Sequence, residues 1–433
     1  MPGLRSLEER PPLITAFFAL AIAAQLALRL WLCARQIRHV QAHAAAVPEA
    51  FAPSISVADH QRAARYTIAK QKLGAAHAVG ETLVLALLTW GGGLQALAEG
   101  LAPWLGGGIA FEFALVAGVV ALAALADLPF DWIRKFRVEQ AFGFNRMTPA
   151  MFLADAAKTA VIAAVLGAPL LLAVLALMRS GKAWWWLGAW AVWAVFSLAL
   201  IVLYPLAIAP LFNRFTPLAD EALRRRIAAL LERTGFRDSG VFTMDGSRRS
   251  SHGNAYFTGL GAAKRVVFYD TLMQRLEADE IEAVLAHELG HFRLRHVVKG
   301  MALGMALSLA WLALLGWLVR EPWFGASLGV HLKPGIPGNG ATLVLFALVA
   351  PQITFLLAPL RSAYSRRHEF EADAFAATHA SAASLVRALV KLYHDNAATL
   401  TPDPVHSAFY DSHPPAAIRI ERLGRLAPAA AGP

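Results

Sequence analysis

The chain has 433 residues, 57% of them hydrophobic and only 16% charged, with a mean hydropathy of +0.48 and a formal charge of +10. That balance excludes a string of soluble domains and describes an integral membrane protein with one or more polar modules. A single cysteine, Cys33, excludes a disulfide framework and a cysteine-ligated metal site within one chain, and arginines flanking apolar runs account for the charge without a nucleic-acid partner.

The first apolar run, Leu13–Leu32, follows Arg5 and Arg10 as a signal peptide would. Glu8 and Glu9 dilute that charge, and the run is too long for a signal core, so it reads as a retained membrane helix whose Arg29 can snorkel. Seven segments reach the ~20 residues needed to cross a bilayer, at about 13–33, 74–97, 108–130, 151–178, 183–212, 301–320 and 341–360. Trp184, Trp185 and Trp186 read as an interfacial belt. The loops 34–73 and 131–150 carry six and four Lys/Arg, against none in 98–107 and two in 179–182. The positive-inside rule therefore places the N-terminus outside, and the segments 213–300 and 361–433 in the cytoplasm. Residues 1–212 are read as spans one to five, 213–300 as a soluble module, 301–360 as spans six and seven, and 361–433 as the part that completes the module. His77, Glu81, Glu112, Asp155 and Lys158 fall within or near spans, and either pair with other helices or line a hydrated cavity.

In the soluble module, Ala219–Arg233 is an amphipathic helix with a basic face at Arg224, Arg225 and Arg226. Val241–Met244, Ala255–Thr258 and Val266–Tyr269 read as short strands, split by Gly246, Gly253, Gly259 and Gly261. A helix follows, with Asp279 as its cap and Glu282 three residues on. It carries His287-Glu288-Leu289-Gly290-His291. On a helix the two histidines lie about 40° apart on one face and can grip one metal ion. Glu288 stands beside them as the general base for a water, the arrangement of zinc hydrolases. Gly290 lets another backbone approach closely.

Catalytic zinc takes three protein ligands, so a third must come from elsewhere. Glu369 and Asp373, four apart in Ser365–Asp373, share a helical face; Glu369 can bind the metal while Asp373 fixes the tautomer of a ligand histidine. Glu371 is the weaker choice, and His296, His368 and His379 read as surface histidines. The expected cofactor is one Zn²⁺ per chain.

These motifs, together with Leu128-Pro129-Phe130, Gly143–Thr148, Ser250–Phe257 and Tyr410–Pro415, occur in an order that resembles the type I CAAX prenyl proteases over nearly the whole chain. The resemblance implies a mostly α fold, in which seven transmembrane helices enclose a chamber capped by a small α+β zinc protease domain. It also implies that Asn254 and His413 lie near the scissile bond, Asn254 holding substrate backbone and His413 stabilising the oxyanion. One departure is Gly253, where the family pattern has serine. The expected function is a membrane-embedded zinc endopeptidase acting on a peptide or protein, prenylated or membrane-embedded, in a lipid bilayer. Two alternatives stay open from sequence: a quality-control protease for membrane proteins, and a non-proteolytic zinc-binding transporter or scaffold.

Overall fold

The computed structural model describes residues 11–236, 240–258 and 265–426. Arg5, Glu8, Glu9, Arg10, Gly259, Gly261 and the Ala-rich stretch after Ala427 lie outside the described residues. The fold is mostly helical. Among the described residues, six helices are long and apolar enough to cross a bilayer: Leu13–Ala42, Ile109–Glu139, Pro149–Arg179, Trp185–Phe212, His296–Leu318 and Asn339–Leu356.

The second expected span is not one straight helix. Val57–Leu88 and Gly93–Leu105 meet at 51° and form a seventh crossing only as a bent pair. The local cause is visible: Thr89 turns its hydroxyl onto the Leu85 carbonyl at 2.7 Å, and Gly92 takes φ +74°. That φ is one a glycine adopts without steric cost. Of the three tryptophans expected in a belt, Trp184 is exposed, Trp185 is buried, and Trp186 packs on Gly316.

The ionisable groups in the spans do both things expected of them. Arg29 pairs with Glu81 at 2.7 Å, His77 with Asp127 at 2.9 Å and Glu112 with Arg179 at 3.4 Å. Asp155 is held by Arg249 at 2.8 Å, which ties a span to the soluble module, and Lys158 donates to the Leu211 carbonyl at 3.1 Å. Arg29, Glu81 and Asp127 also line a cavity of 460 Å³, with Phe130, Phe355 and Tyr410 on its walls.

The soluble module is built from two stretches far apart in sequence. Helix Glu221–Arg233 is capped by Asp220, whose carboxylate accepts from Ala222 N and Leu223 N. Its expected basic face is partly paired, Arg226 reaching Glu282 at 2.8 Å. Strand β1 (Phe215–Pro217) precedes this helix, and β2 (Val241–Met244), β3 (Ala255–Thr258) and β4 (Arg265–Tyr269) follow it. They lie in the order β1-β2-β4-β3, parallel only between β2 and β4. β1, which was not expected, is too short to show a period-two pattern. β3 is at an edge of the sheet. Phe268 of β4, Ile227 and Leu230, and Leu285 and Leu289 of the motif helix share one core with Leu385 and Ala388.

Candidate metal centre

The motif helix runs Ala278–Arg293. Its cap is Glu277, not Asp279: Glu277 and Glu280 form a reciprocal capping box, with Glu277 N donating to Glu280 Oε2 at 2.9 Å. Asp279 lies inside the first turn and is taken by Ser384 Oγ at 2.7 Å and by Arg387, while Glu282 accepts from Arg226 and Arg233.

The helix Ala358–His379 crosses the motif helix at Gly290. A Cβ there would meet Ala372 Cα and Phe375 Cβ at 3.1 Å, so the close approach expected of this glycine is made by the second helix. That contact brings Glu369 over the histidines. His287 Nε2 and His291 Nε2 are 3.2 Å apart, and the Glu369 carboxylate oxygens stand 3.4 Å from the first and 3.3 Å from the second. The ligand atoms of all three residues fall within 4.8 Å of one another.

Two donors each 2.0–2.1 Å from a tetrahedral zinc stand about 3.3 Å apart, so the donor set fits the ion. Glu369 Oε2 is buried among these donors, 3.4 Å from His287 Nε2. Burial would raise the Glu369 and Asp373 carboxyls, but hydrogen bonds from His287 and His291 to Glu369, and from His287 and Arg419 to Asp373, outweigh it and hold both below the usual range. An ionised, enclosed pocket of this kind suits a cation. Burial lowers His287, but hydrogen bonds to Asp373 and Glu369 push it up to about 9.

Asp373 lies where its expected role requires, with Oδ1 2.9 Å from His287 Nδ1. Glu288 is on the same helix and is not one of the converging donors; burial pushes its carboxyl up against the pull of His287 and His291. His413 reaches the cluster from the C-terminal part, its Nε2 3.4 Å from Glu369 Oε1. Ser412 Oγ is 3.0 Å from His413 Nδ1, which lets the hydroxyl donate there and leaves the proton on Nε2. Arg366 holds the Ser407 and Asp411 carbonyls, fixing the segment that carries His413.

Asn254 stands apart from this cluster, exposed at the start of β3, with its Oδ1 accepting from Ala255 N at 2.8 Å. β3 packs on the motif helix. The segment before it is held by Asn396, whose Oδ1 accepts from Gly253 N and contacts His252 Nδ1. His252 in turn meets Glu139 at 3.1 Å. A Cβ at Gly253 would find ordinary contacts at 3.5 Å or more, so the departure from serine changes little locally.

Two expectations fail. His296 and His368 are not surface histidines: both are buried, and their rings stack at 3.9 Å. His379 is half-buried against Phe375. A further residue passed unnoticed in the sequence. Arg419 is buried, grips Asp373 with two nitrogens at 2.9 and 2.6 Å, and comes within 3.7 Å of Glu369.

Comparison with known proteins gives a consistent picture. Residues 36–214 match the family model of the CAAX prenyl protease N-terminal region with five membrane helices, and residues 217–427 match peptidase family M48. The chain is 37% identical to the CAAX prenyl protease 1 homolog of Arabidopsis thaliana, over 73% of this chain and 74% of the relative. It is 34% identical to CAAX prenyl protease 1 of Saccharomyces cerevisiae, over 70% of each. The crystal structure of S. mikatae Ste24p superposes with a TM-score of 0.87 at 28% identity, covering 95% of this chain and 98% of that one.

Proposed function

Given that the chain belongs to peptidase family M48 and to its CAAX prenyl protease branch, and so is a membrane metallopeptidase, we propose that His287, His291 and Glu369 hold one zinc ion and that Glu288 moves the proton. The observation that carries this reading is the convergence of three donor side chains, a group with no fourth member among the described residues, beside a carboxyl free to act as base. A structural site would be closed by four ligands, which speaks against a scaffold or transporter.

Zinc, when bound, supplies Lewis acidity that acidifies water and polarises a carbonyl. The chain's own residues do the rest. Glu288 takes a proton from water and later delivers it to the leaving amine. Asp373 holds His287 in the tautomer that presents Nε2 to the metal. His413, with its proton on Nε2, is placed to donate to the oxyanion that forms at the scissile carbon. Substrate backbone adds along the edge strand β3, with Asn254 at its mouth.

The substrate class follows from the surroundings. The 460 Å³ cavity is bounded by Tyr410, three residues before His413, and offers apolar walls at Val84, Leu85, Phe130 and Phe355. A farnesyl chain of about fifteen carbons gains about 0.8 kcal/mol for each CH₂ buried. The reading is therefore an endopeptidase for extended peptides bearing a lipid, including those with a C-terminal prenylated cysteine. kcat/KM for one CAAX peptide is expected to rise at least about tenfold when it carries farnesyl, about 1.4 kcal/mol of recognition. Equal values, with good cleavage of unmodified membrane-protein segments, would move the function to quality control.

The orientation is also part of the proposal. With the bent pair counted as one crossing there are seven spans, and the charged loops place the N-terminus outside and the catalytic module and C-terminus in the cytoplasm. A reporter fused after Pro433 is expected to read cytoplasmic and a tag at Met1 external. Both on one side would mean that the bent pair does not cross.

A further inference from the structure

The two histidines of the motif helix are held differently on their outer nitrogens. His287 Nδ1 meets a carboxylate directly, Asp373 Oδ1 at 2.9 Å. His291 Nδ1 meets no carboxylate; it lies 3.1 Å from Nδ1 of His296. His296 then turns its Nε2 to Glu371 Oε2 at 3.0 Å. Each terminal carboxylate has its own arginine, Asp373 held by Arg419 and Glu371 by Arg367 Nε at 3.1 Å.

Hydrogen-bond polarity makes this a directed chain. A carboxylate can only accept, so His296 Nε2 carries the proton and its Nδ1 is left as an acceptor. His291 Nδ1 must then donate to it, which leaves the lone pair of His291 on Nε2, the atom facing His287 and Glu369. We propose that Glu371 and His296 form a second relay that fixes the zinc-binding tautomer and ring orientation of His291, as Asp373 does for His287. His296 and Glu371 are positioning residues in this reading; neither meets substrate.

The backbone is arranged for it. Arg295, between the motif helix and the membrane helix that begins at His296, sits at φ +58°. That left-handed conformation is one a non-glycine residue adopts only at a steric cost. The next helix begins at once, and its first residue, His296, meets His291. His368 stacks on His296 with 7° between the rings, and Tyr364 lies edge-on beyond it. The pair is thereby enclosed, which strengthens the hydrogen bonds within it.

His296, His368 and Glu371 also converge within 4.8 Å, so a second metal ion is the competing account. The geometry disfavours it. Both ring nitrogens of His296 are engaged, and two stacked imidazoles point their in-plane lone pairs along parallel planes instead of toward one centre.

The inference rests on the assignment of His287, His291 and Glu369 as zinc ligands, and its test separates the two. Zinc affinity and stoichiometry are measured on the full-length protein in detergent by competition with a chromophoric chelator. Partners of this kind typically shift metal affinity by about 10–100-fold. His296→Phe, which keeps the stack on His368, is expected to weaken zinc binding about tenfold, and Glu371→Gln severalfold. In the double variant, Glu371→Gln is expected to add nothing further, because its effect passes through His296. His296→Gln retains an acceptor for His291 and is expected to recover part of the loss. Unchanged affinity in both single variants overturns the relay, as do additive losses, which would make Glu371 act by charge alone. Two zinc ions per chain, one lost in His368→Ala, would establish the second metal site instead. His291→Ala is the control for the underlying assignment: tight zinc there removes the ligand set itself, whatever the other variants show.

Discussion

Glu288→Gln is expected to retain fold and zinc while losing peptide hydrolysis by about 10²–10⁴-fold, the range that a positioned general base contributes. The substitution keeps the size and one polar oxygen of the side chain and leaves His287, His291 and Glu369, the three converging donors, untouched. Burial raises the Glu288 carboxyl from its ordinary range, which brings it closer to a base that can both take and return a proton near neutral pH. The loss is expected in kcat far more than in KM, because the removed interaction belongs to the transition state. Glu369→Ala supplies the contrast, losing zinc together with activity. The pair is read by metal analysis of purified protein alongside turnover of a CAAX peptide. Near-wild-type turnover in Glu288→Gln would sink the assignment, and full zinc content in Glu369→Ala would move the third ligand elsewhere.

How far the site could be read from sequence depends on how local each signal is. The spacing of His287 and His291 is a property of one helix, so 100° per residue was enough to put them on one face. Glu369 and Asp373 needed the same arithmetic and the chemistry of a histidine tautomer; the structure places both against the histidines. Residues whose role depends on a turn of the chain were harder. Nothing in Arg293-Leu294-Arg295-His296 announces that Arg295 takes a left-handed conformation, and without that turn His296 belongs on a surface. The cap at Glu277 was missed because glutamate is not among the favoured capping residues and Asp279 is. The bend in the second span has a signal in Gly91-Gly92-Gly93, which a reading of 74–97 as one span by apolarity leaves unused. Arg419 had a signal too: Ala416, Arg419 and Leu423 share the buried face of helix Ala416–Leu426, and an arginine on an apolar stripe calls for a buried partner.

That partner makes Arg419 the second position where a single change has a large effect. Its guanidinium grips both oxygens of Asp373 and lies 3.7 Å from Glu369, with all three side chains buried. Arg419→Met fills much of the same volume but leaves two buried carboxylates with one cation fewer. Breaking a buried pair from one side costs about 3–5 kcal/mol, most of it from the charge left behind. Zinc held, as proposed, by the histidines and Glu369 would replace part of the missing positive charge, whereas the chelated protein would have no substitute. The variant is therefore expected to melt well below wild type when chelated, and to gain more than wild type from added zinc. Activity is expected to fall at least about tenfold even with zinc present, because Asp373 no longer holds His287 in one orientation. Arg419→Lys restores the charge without the two-pronged grip and is expected to fall between. The measurement is a thermal melt of each full-length protein in detergent, with and without chelator. An unchanged chelated melt, or an equal zinc-induced shift in variant and wild type, would show that Asp373 and Glu369 do not depend on Arg419 for their charge.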